Sequence, residues 1–126
     1  MTDYIATIKE SSKDLTARER IRFKNTSGAA KLDDLVKDDE KIIIKPVAYA
    51  VLDIHNDNSE SGDYENYIIV DADNNLYKTG SPSFWKQFKS IWDEMTQETD
   101  EDWELEIFKL DSTNYKGKKF LTCNIV

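Results

Sequence analysis

The residues of this chain best suited to do chemistry are tyrosines and lysines, and the chemistry they suit is binding. Aromatic rings stack on nucleic-acid bases, and lysine ammonium groups neutralise phosphates. In "YENYIIVDADNNLYKTG" (residues 64–80) a hairpin closed across "DADNN" sets Val70 beside Leu76, Ile69 beside Tyr77 and Tyr67 beside Thr79. Strand alternation then gives Ile68, Val70 and Leu76 to a core face. Tyr67 and Tyr77 fall diagonally on the opposite face, which is expected to be exposed. Lys78 alternates back and is the weaker contact of the pair. Tyr49, Phe108 and Tyr115 add aromatic surface, and Lys45, Lys109, Lys116, Lys118 and Lys119 add positive charge. The competing reading is that strand tyrosines simply cover sheet surface, since tyrosine has high β propensity.

Catalytic chemistry is poorly supplied. His55 is the sole histidine and sits at the end of a predicted strand, where it reads as a surface residue. Cys123 is the sole cysteine and alternates with Leu121 and Ile125 on a predicted core face, so it reads as an inert buried thiol. One cysteine excludes an intrachain disulfide, argues against structural zinc and suits a reducing cytosol. No Gly-rich phosphate loop appears. "DADNN" alternates oxygen ligands like the first half of a calcium loop but lacks that motif's later glycine and closing glutamate, which leaves a hairpin turn. Carboxylates are abundant, yet none pairs recognisably for acid–base work. The expectation is a protein that is not an enzyme, with no cofactor and no metal.

These side chains need elements to hold them. "DYIATIKE" alternates weakly as a strand. In "LTARERIRFKN" Arg18, Arg20 and Arg22 recur at every second position, which predicts one face of a second strand. "TSGAAKLDDLVKDD" is polar, with a short helical turn around Lys31 to Val36. "EKIIIKPVAYAVLDIHN" is a long β-branched strand in which Pro46 marks an edge or a bulge. The strands "YENYIIVDA" and "LYKTG" follow.

Ser81 then N-caps a helix with Pro82 at its first position. Phe84, Phe88, Ile91, Trp92 and Met95 form one stripe of that helix, with Trp85 at the edge of the stripe. Two strands, "DWELEIFKLD" and "GKKFLTCNIV", complete the chain, joined at a hairpin tip "STNYKG". From residue 41 the order is strand, strand, strand, helix, strand, strand. That is the order of the five-stranded Greek-key OB-fold barrel, with one helix between the third and fourth strands. The expectation is a mainly β, single OB-fold domain over residues 1–126. Residues 1–27 form an N-terminal strand-pair extension, and residues 41–126 form the barrel core plugged by the helix.

With 126 residues, 39% hydrophobic, the chain can bury a real core. "MTDYIATIKE" has no basic region followed by an apolar run, so no signal peptide is expected, and no apolar stretch is long enough for a membrane span. Net charge is −8, which taken alone opposes nucleic-acid binding. The charge is uneven, however. Eight acids and no bases lie between Asp93 and Glu106, a run that reads as a solvated loop, whereas Lys109 to Val126 carries a net +3. A basic strip acts locally, over a Debye length of about 10 Å.

Three stretches carry a resemblance. They are "KLDDLVKDDEKIIIKPVAYAVLDI", "YENYIIVDADNNLYKTGSPSFWKQFKSIWDEM" and "YKGKKFLTCNIV". An acidic hairpin turn, then "LYKTGSPSF" leading into a helix, then a terminal "YKGKKFLT" strand resemble the small single-stranded-DNA-binding proteins of tailed phages that infect Gram-positive bacteria. The resemblance covers roughly residues 28 to 126. It implies an OB-fold and sequence-independent binding of single-stranded DNA during phage DNA replication or recombination in the bacterial host cytoplasm. It also implies phage or host replication and recombination proteins as partners. The protein would be a monomer or small homo-oligomer with no membrane contact. One departure stands out: replicative single-strand binders often end in an acidic tail, whereas this chain ends in the strand "CNIV" and keeps its acidic run internal. The −8 charge and the run from Asp93 to Glu106 motivate a second class, an acidic anti-defence inhibitor or DNA mimic that binds a host protein, and an assembly protein built on an OB-like barrel is a third.

Overall fold

The computed structural model describes residues 4–25, 28–37, 40–56, 62–98, 103–111 and 119–126. The protein is mainly β and divides into two compact units, each woven from two chain segments. The first unit takes residues 1–31 and 47–80, and the second takes residues 32–46 and 81–126. Each holds its own sheet, and neither sheet closes into a barrel.

The first unit contains β1 (Tyr4–Ser11), α1 (Ala17–Lys24), β2 (Ala30–Lys31), β5 (Asp63–Asp71), β6 (Leu76–Thr79) and, from Val47 onward, β4 (Pro46–Asn56). Its sheet runs β1-β4-β5-β6-β2. β1 lies antiparallel to β4 with a bulge between Ile8 and Glu10, while the two-residue β2 pairs parallel with β6. The segment expected to be a second N-terminal strand is the helix α1 instead. Thr16 starts it with a capping box: the Glu19 N–H donates to Thr16 Oγ1 (3.2 Å), and the Thr16 N–H donates to Glu19 Oε1 (3.0 Å). Two reciprocal caps satisfy helix N–H groups that a strand would pair elsewhere. Arginine and glutamate are also better helix than strand formers. Arg18, Arg20 and Arg22 therefore spread around a helix rather than along one strand face. Phe23 is the residue that α1 buries. It joins Ala48, Ala50, Leu52, Ile54, Ile68, Val70 and Leu76 in this unit's core.

The β5–β6 hairpin has the register read from "DADNN": Tyr67 opposes Thr79, Ile68 opposes Lys78, Ile69 opposes Tyr77 and Val70 opposes Leu76. The Asp71 carboxylate builds the turn. Oδ1 accepts from the N–H groups of Asp73 (3.0 Å) and Asn75 (2.8 Å), and Oδ2 accepts from Asn75 Nδ2 (3.3 Å) and the Tyr77 hydroxyl (2.8 Å). Asn74 takes the left-handed conformation (φ 69°) that asparagine tolerates. The Arg22 guanidinium donates to both its side-chain oxygen and its carbonyl.

The second unit contains α2 (Leu32–Leu35), β3 (Ile42–Ile44), α3 (Pro82–Glu98), β7 (Leu105–Asp111) and β8 (Lys119–Ile125). α2 matches the predicted helical turn. The long strand expected over residues 41–56 breaks at Lys45, with Pro46 opening β4, as a residue without a ladder donor suggests. Its two halves belong to different sheets, since β3 joins β7 and β8 in the order β3-β7-β8. The pairings are antiparallel, Ile44 opposing Leu105 and Ile107 opposing Cys123.

Ser81 caps α3 as expected, its Oγ accepting from the Phe84 N–H at 3.3 Å. Phe84, Trp85 and Phe88 are buried, while Ile91, Trp92 and Met95 are half-buried, so the apolar stripe is deepest in its first half. Trp85 settles into the core, its ring 4.9 Å from that of Phe88. Burying Phe84 and Phe88 completely contributes roughly 2–3 kcal/mol each. α3 lies against β8. The acidic run is not simply a loop. Asp93 and Glu94 ride exposed on α3, and Glu106 lies on β7. No helix among the described residues is long and apolar enough to cross a membrane.

Burial opposes the charge of Asp71, but the bonds from Asn75, Tyr77 and Asp73 outweigh it and hold the carboxyl below its ordinary range. A carboxyl depressed in the folded state contributes stability above about pH 4 and loses it as pH falls through the folded value. Asp71→Asn should therefore cost about 1–3 kcal/mol near neutrality, read by urea unfolding, and its deficit against the parent protein should shrink at pH 3. Equal stability of the two proteins at pH 7 would remove Asp71 from this role.

Candidate nucleic-acid interface

The residues predicted to bind DNA divide between the two units. In the first, Tyr67, Ile69, Tyr77 and Thr79 do share one sheet face, and Lys78 shares the other with Ile68. The expectation that the tyrosine face is exposed is corrected by the structure. Tyr67 retains 6% of its surface and Tyr49 5%, and Val51, Ile69 and Thr79 are buried as well. Both faces of the central strands are thus closed to solvent. The physical reason is compositional. "VAYAVL" and "YIIV" are unbroken apolar runs, and a strand buried on one side alone would alternate.

Each tyrosine has a structural setting. The Tyr49 hydroxyl donates to Glu10 Oε2 (2.9 Å), and the Tyr49 N–H donates to Ser12 Oγ (2.9 Å), tying the end of β1 to β4. Burial, reinforced by the charge of Glu65, raises the Tyr67 hydroxyl above its ordinary range. Tyr77 is half-buried, and its hydroxyl is pushed up to about 12 by burial, then by its bond to Asp71 and the charge of that carboxylate. It serves the turn rather than an open stacking surface.

The second unit holds the face that is open. Along β7 and β8, Leu105, Ile107, Leu121 and Cys123 turn inward and are buried. Phe108 opposes Thr122 and Leu110 opposes Phe120, so these four turn to the other side, with Ile43 of β3 opposite Glu106. Ile43 is 48% exposed, Leu110 47% and Phe120 40%, while Phe108 is half-buried. Phe108 and Phe120 are diagonal neighbours, a spacing of roughly 7–8 Å in an antiparallel pair. This sheet side therefore offers two aromatic rings set among aliphatic and polar groups.

Phe120 and Leu110 were missed as candidates, although a signal was available. Phe120 alternates with Thr122 and Asn124 at a position where a polar residue is expected, and apolar residues that gather into a patch on a polar face mark an interaction surface.

The lysines fare unevenly. Lys109 is corrected: it lies on the Ile107 side of β7, opposite to Phe108, and its ammonium donates to the Asp33 carbonyl at 2.8 Å. Lys119 is exposed and pairs with Asp111 at 3.2 Å, and Lys41 pairs with Glu106 at 3.1 Å. Lys45 and Lys78 are half-buried. Tyr115, Lys116 and Lys118 lie outside the described residues.

The unassigned nucleophiles behave as read. His55 is at the surface end of β4 with Nδ1 2.7 Å from Asp63 Oδ1. Cys123 is buried, and burial pushes its thiol up to about 12, out of reach of thiolate chemistry at neutral pH. Among the described residues no group of three or more histidine, cysteine or acidic side chains could hold a metal ion.

Because Tyr67 fills space, Tyr67→Ala should act on stability first. Emptying a buried aromatic site costs about 3 kcal/mol, so a clear drop in the thermal midpoint is expected. An unchanged midpoint would return Tyr67 to the surface.

No family model, no curated protein and no solved structure matches this chain.

Proposed function

We propose that the protein binds single-stranded DNA without sequence preference, using the open side of the β7–β8 ribbon and the hairpin that joins its strands. The observation that carries this reading is the pair of rings on the open sheet side, Phe120 exposed and Phe108 half-buried, in strands joined by a sequence, "STNYKGK", that holds one tyrosine and two lysines. Base stacking on an aromatic side chain contributes about 1–3 kcal/mol per base and tolerates any sequence. Lys116 and Lys118 of that connecting sequence carry positive charge that would make the affinity fall with salt.

Strand connectivity supports an OB-type ancestry for this arrangement. β4, β5 and β6 are consecutive neighbours, and β3, the other half of the same predicted strand, leads to β7 and then β8. That is the neighbour order of the five-stranded Greek key with its first strand split at Lys45. In OB-folds the loop between the last two strands is a usual contact, and here it is the 112–118 segment. The protein acts on this reading as a non-enzymatic sheath for single strands in DNA replication or recombination.

One observation favours a second reading. Beside this ribbon Lys41 and Lys119 are each paired with a carboxylate, and the chain carries −8 overall. An acidic protein with an apolar patch also suits an inhibitor that covers the DNA-binding surface of a basic host protein.

Titration of labelled oligo-dT by fluorescence anisotropy at two salt concentrations separates the readings. Binding that weakens with salt is expected, and Phe108→Ala combined with Phe120→Ala should weaken it roughly 30-fold or more while leaving the fold intact. No binding at micromolar protein in low salt would overturn the proposal and leave the inhibitor reading.

A further inference from the structure

The open sheet side described above has rings but little free charge, and a DNA strand brings one negative charge per nucleotide. Helix α1 supplies the opposite balance. It carries Arg18, Arg20, Arg22 and Lys24 against Glu19, a net of +3 in eight residues. Resting on the reading of the chain as a single-strand binder, we infer that α1 is a second contact surface, one that holds phosphates of the DNA backbone.

At 100° per residue, with Phe23 pointing into the core, the outward half of the helix reads Lys24, Ala17, Ile21, Arg18, Arg22 in angular order, and Arg20 lies about 60° from Phe23 beside Lys24. The outward five are exposed, and Ile21 at the crest keeps 71% of its surface. The cations form two i, i+4 pairs, Arg18 with Arg22 and Arg20 with Lys24, each spaced about 6 Å along the axis. Like charges at that spacing destabilise a helix. The two pairs lie on opposite flanks of Ile21, and an anion laid along the helix between them would ease the repulsion within each.

The groups are also partly pre-positioned. Arg20 donates to the Leu15 carbonyl at 2.6 Å, and Arg22 is held by Asn74 on the β5–β6 turn. A guanidinium has five N–H donors, so these bonds leave others for a phosphate. Arg18 and Lys24 make no ion pair among the described residues. Three of the four cations are arginine, whose planar fork matches phosphate oxygens two at a time. On a chain of net −8, a polyanion can approach only where the local field is positive within a Debye length of about 10 Å.

The test is the salt dependence of oligo-dT binding in the full chain, comparing the parent protein with an Arg18→Gln, Arg20→Gln, Lys24→Gln variant. Arg22 is kept because it holds the turn. Each phosphate that the protein no longer neutralises flattens the slope of log affinity against log salt by about 0.7 on single strands. A slope shallower by about 2 is therefore expected of the triple variant, with a cooperative unfolding transition retained. The Phe108→Ala, Phe120→Ala protein should lose affinity at an unchanged slope. If the parent binds and the triple variant keeps the same slope and affinity, the assignment of α1 is overturned while the stacking face stands. If the parent does not bind oligo-dT, the single-strand reading itself fails. A parent that ignores oligo-dT yet sediments with phosphatidylserine vesicles would assign the helix to an anionic membrane surface and overturn the proposal.

Discussion

The carboxylate of Asp71 is the constraint on which the larger sheet depends. It gathers two backbone N–H groups, one side-chain amide and one phenol within six residues, and so fixes the turn between β5 and β6. A turn fixes register, and register in a sheet decides which residues face which way, because a slip of one residue exchanges the two faces. With Val70 held opposite Leu76, the aliphatic set meets Phe23 of α1, and Tyr67 and Ile69 are committed to the other side. The same turn receives Arg22 through Asn74, so the orientation of α1 is coupled to the hairpin as well. A charge-assisted network of this kind is worth more than neutral hydrogen bonds because its acceptor is ionised.

Burial on both faces then determines where function can lie. A sheet whose central strands are closed on either side has no surface for a strand of nucleic acid, however well its tyrosines are spaced. The open apolar side of β7–β8 belongs to one unit and the cation-bearing helix α1 to the other. On the proposed reading the first offers rings to bases and the second offers charge to phosphates.

Much of this was legible in the residues. "DADNN" between two β runs predicted the hairpin and its register, and "GSPSF" predicted the start of α3, because turn and cap chemistry are local. The strand break at Pro46 was legible for the same reason. α1 was misread because arginines at every second position imitate a strand, and "TARE" carries a capping box that outweighs that alternation. The tyrosine face was misread because alternation was applied to "YIIV", a run with no polar residue to mark a wet side. The parallel pairing of β2 with β6 rests on residues nearly 50 positions apart, Ala30 with Tyr77, and two residues leave no periodic signal. Phe120 was visible as an apolar residue on a polar alternation but carries weight only once its neighbours Leu110 and Phe108 are aligned with it.

The central claim is that bases lie on the open side of β7–β8, and photocrosslinking tests it most directly. A bromodeoxyuridine-substituted single strand would be bound to the protein, irradiated and digested, and the adducts located by mass spectrometry. Adducts on Phe108, on Phe120 or within residues 112–118 are the predicted result. No adduct at saturating DNA, or adducts with none on this ribbon, would contradict the account.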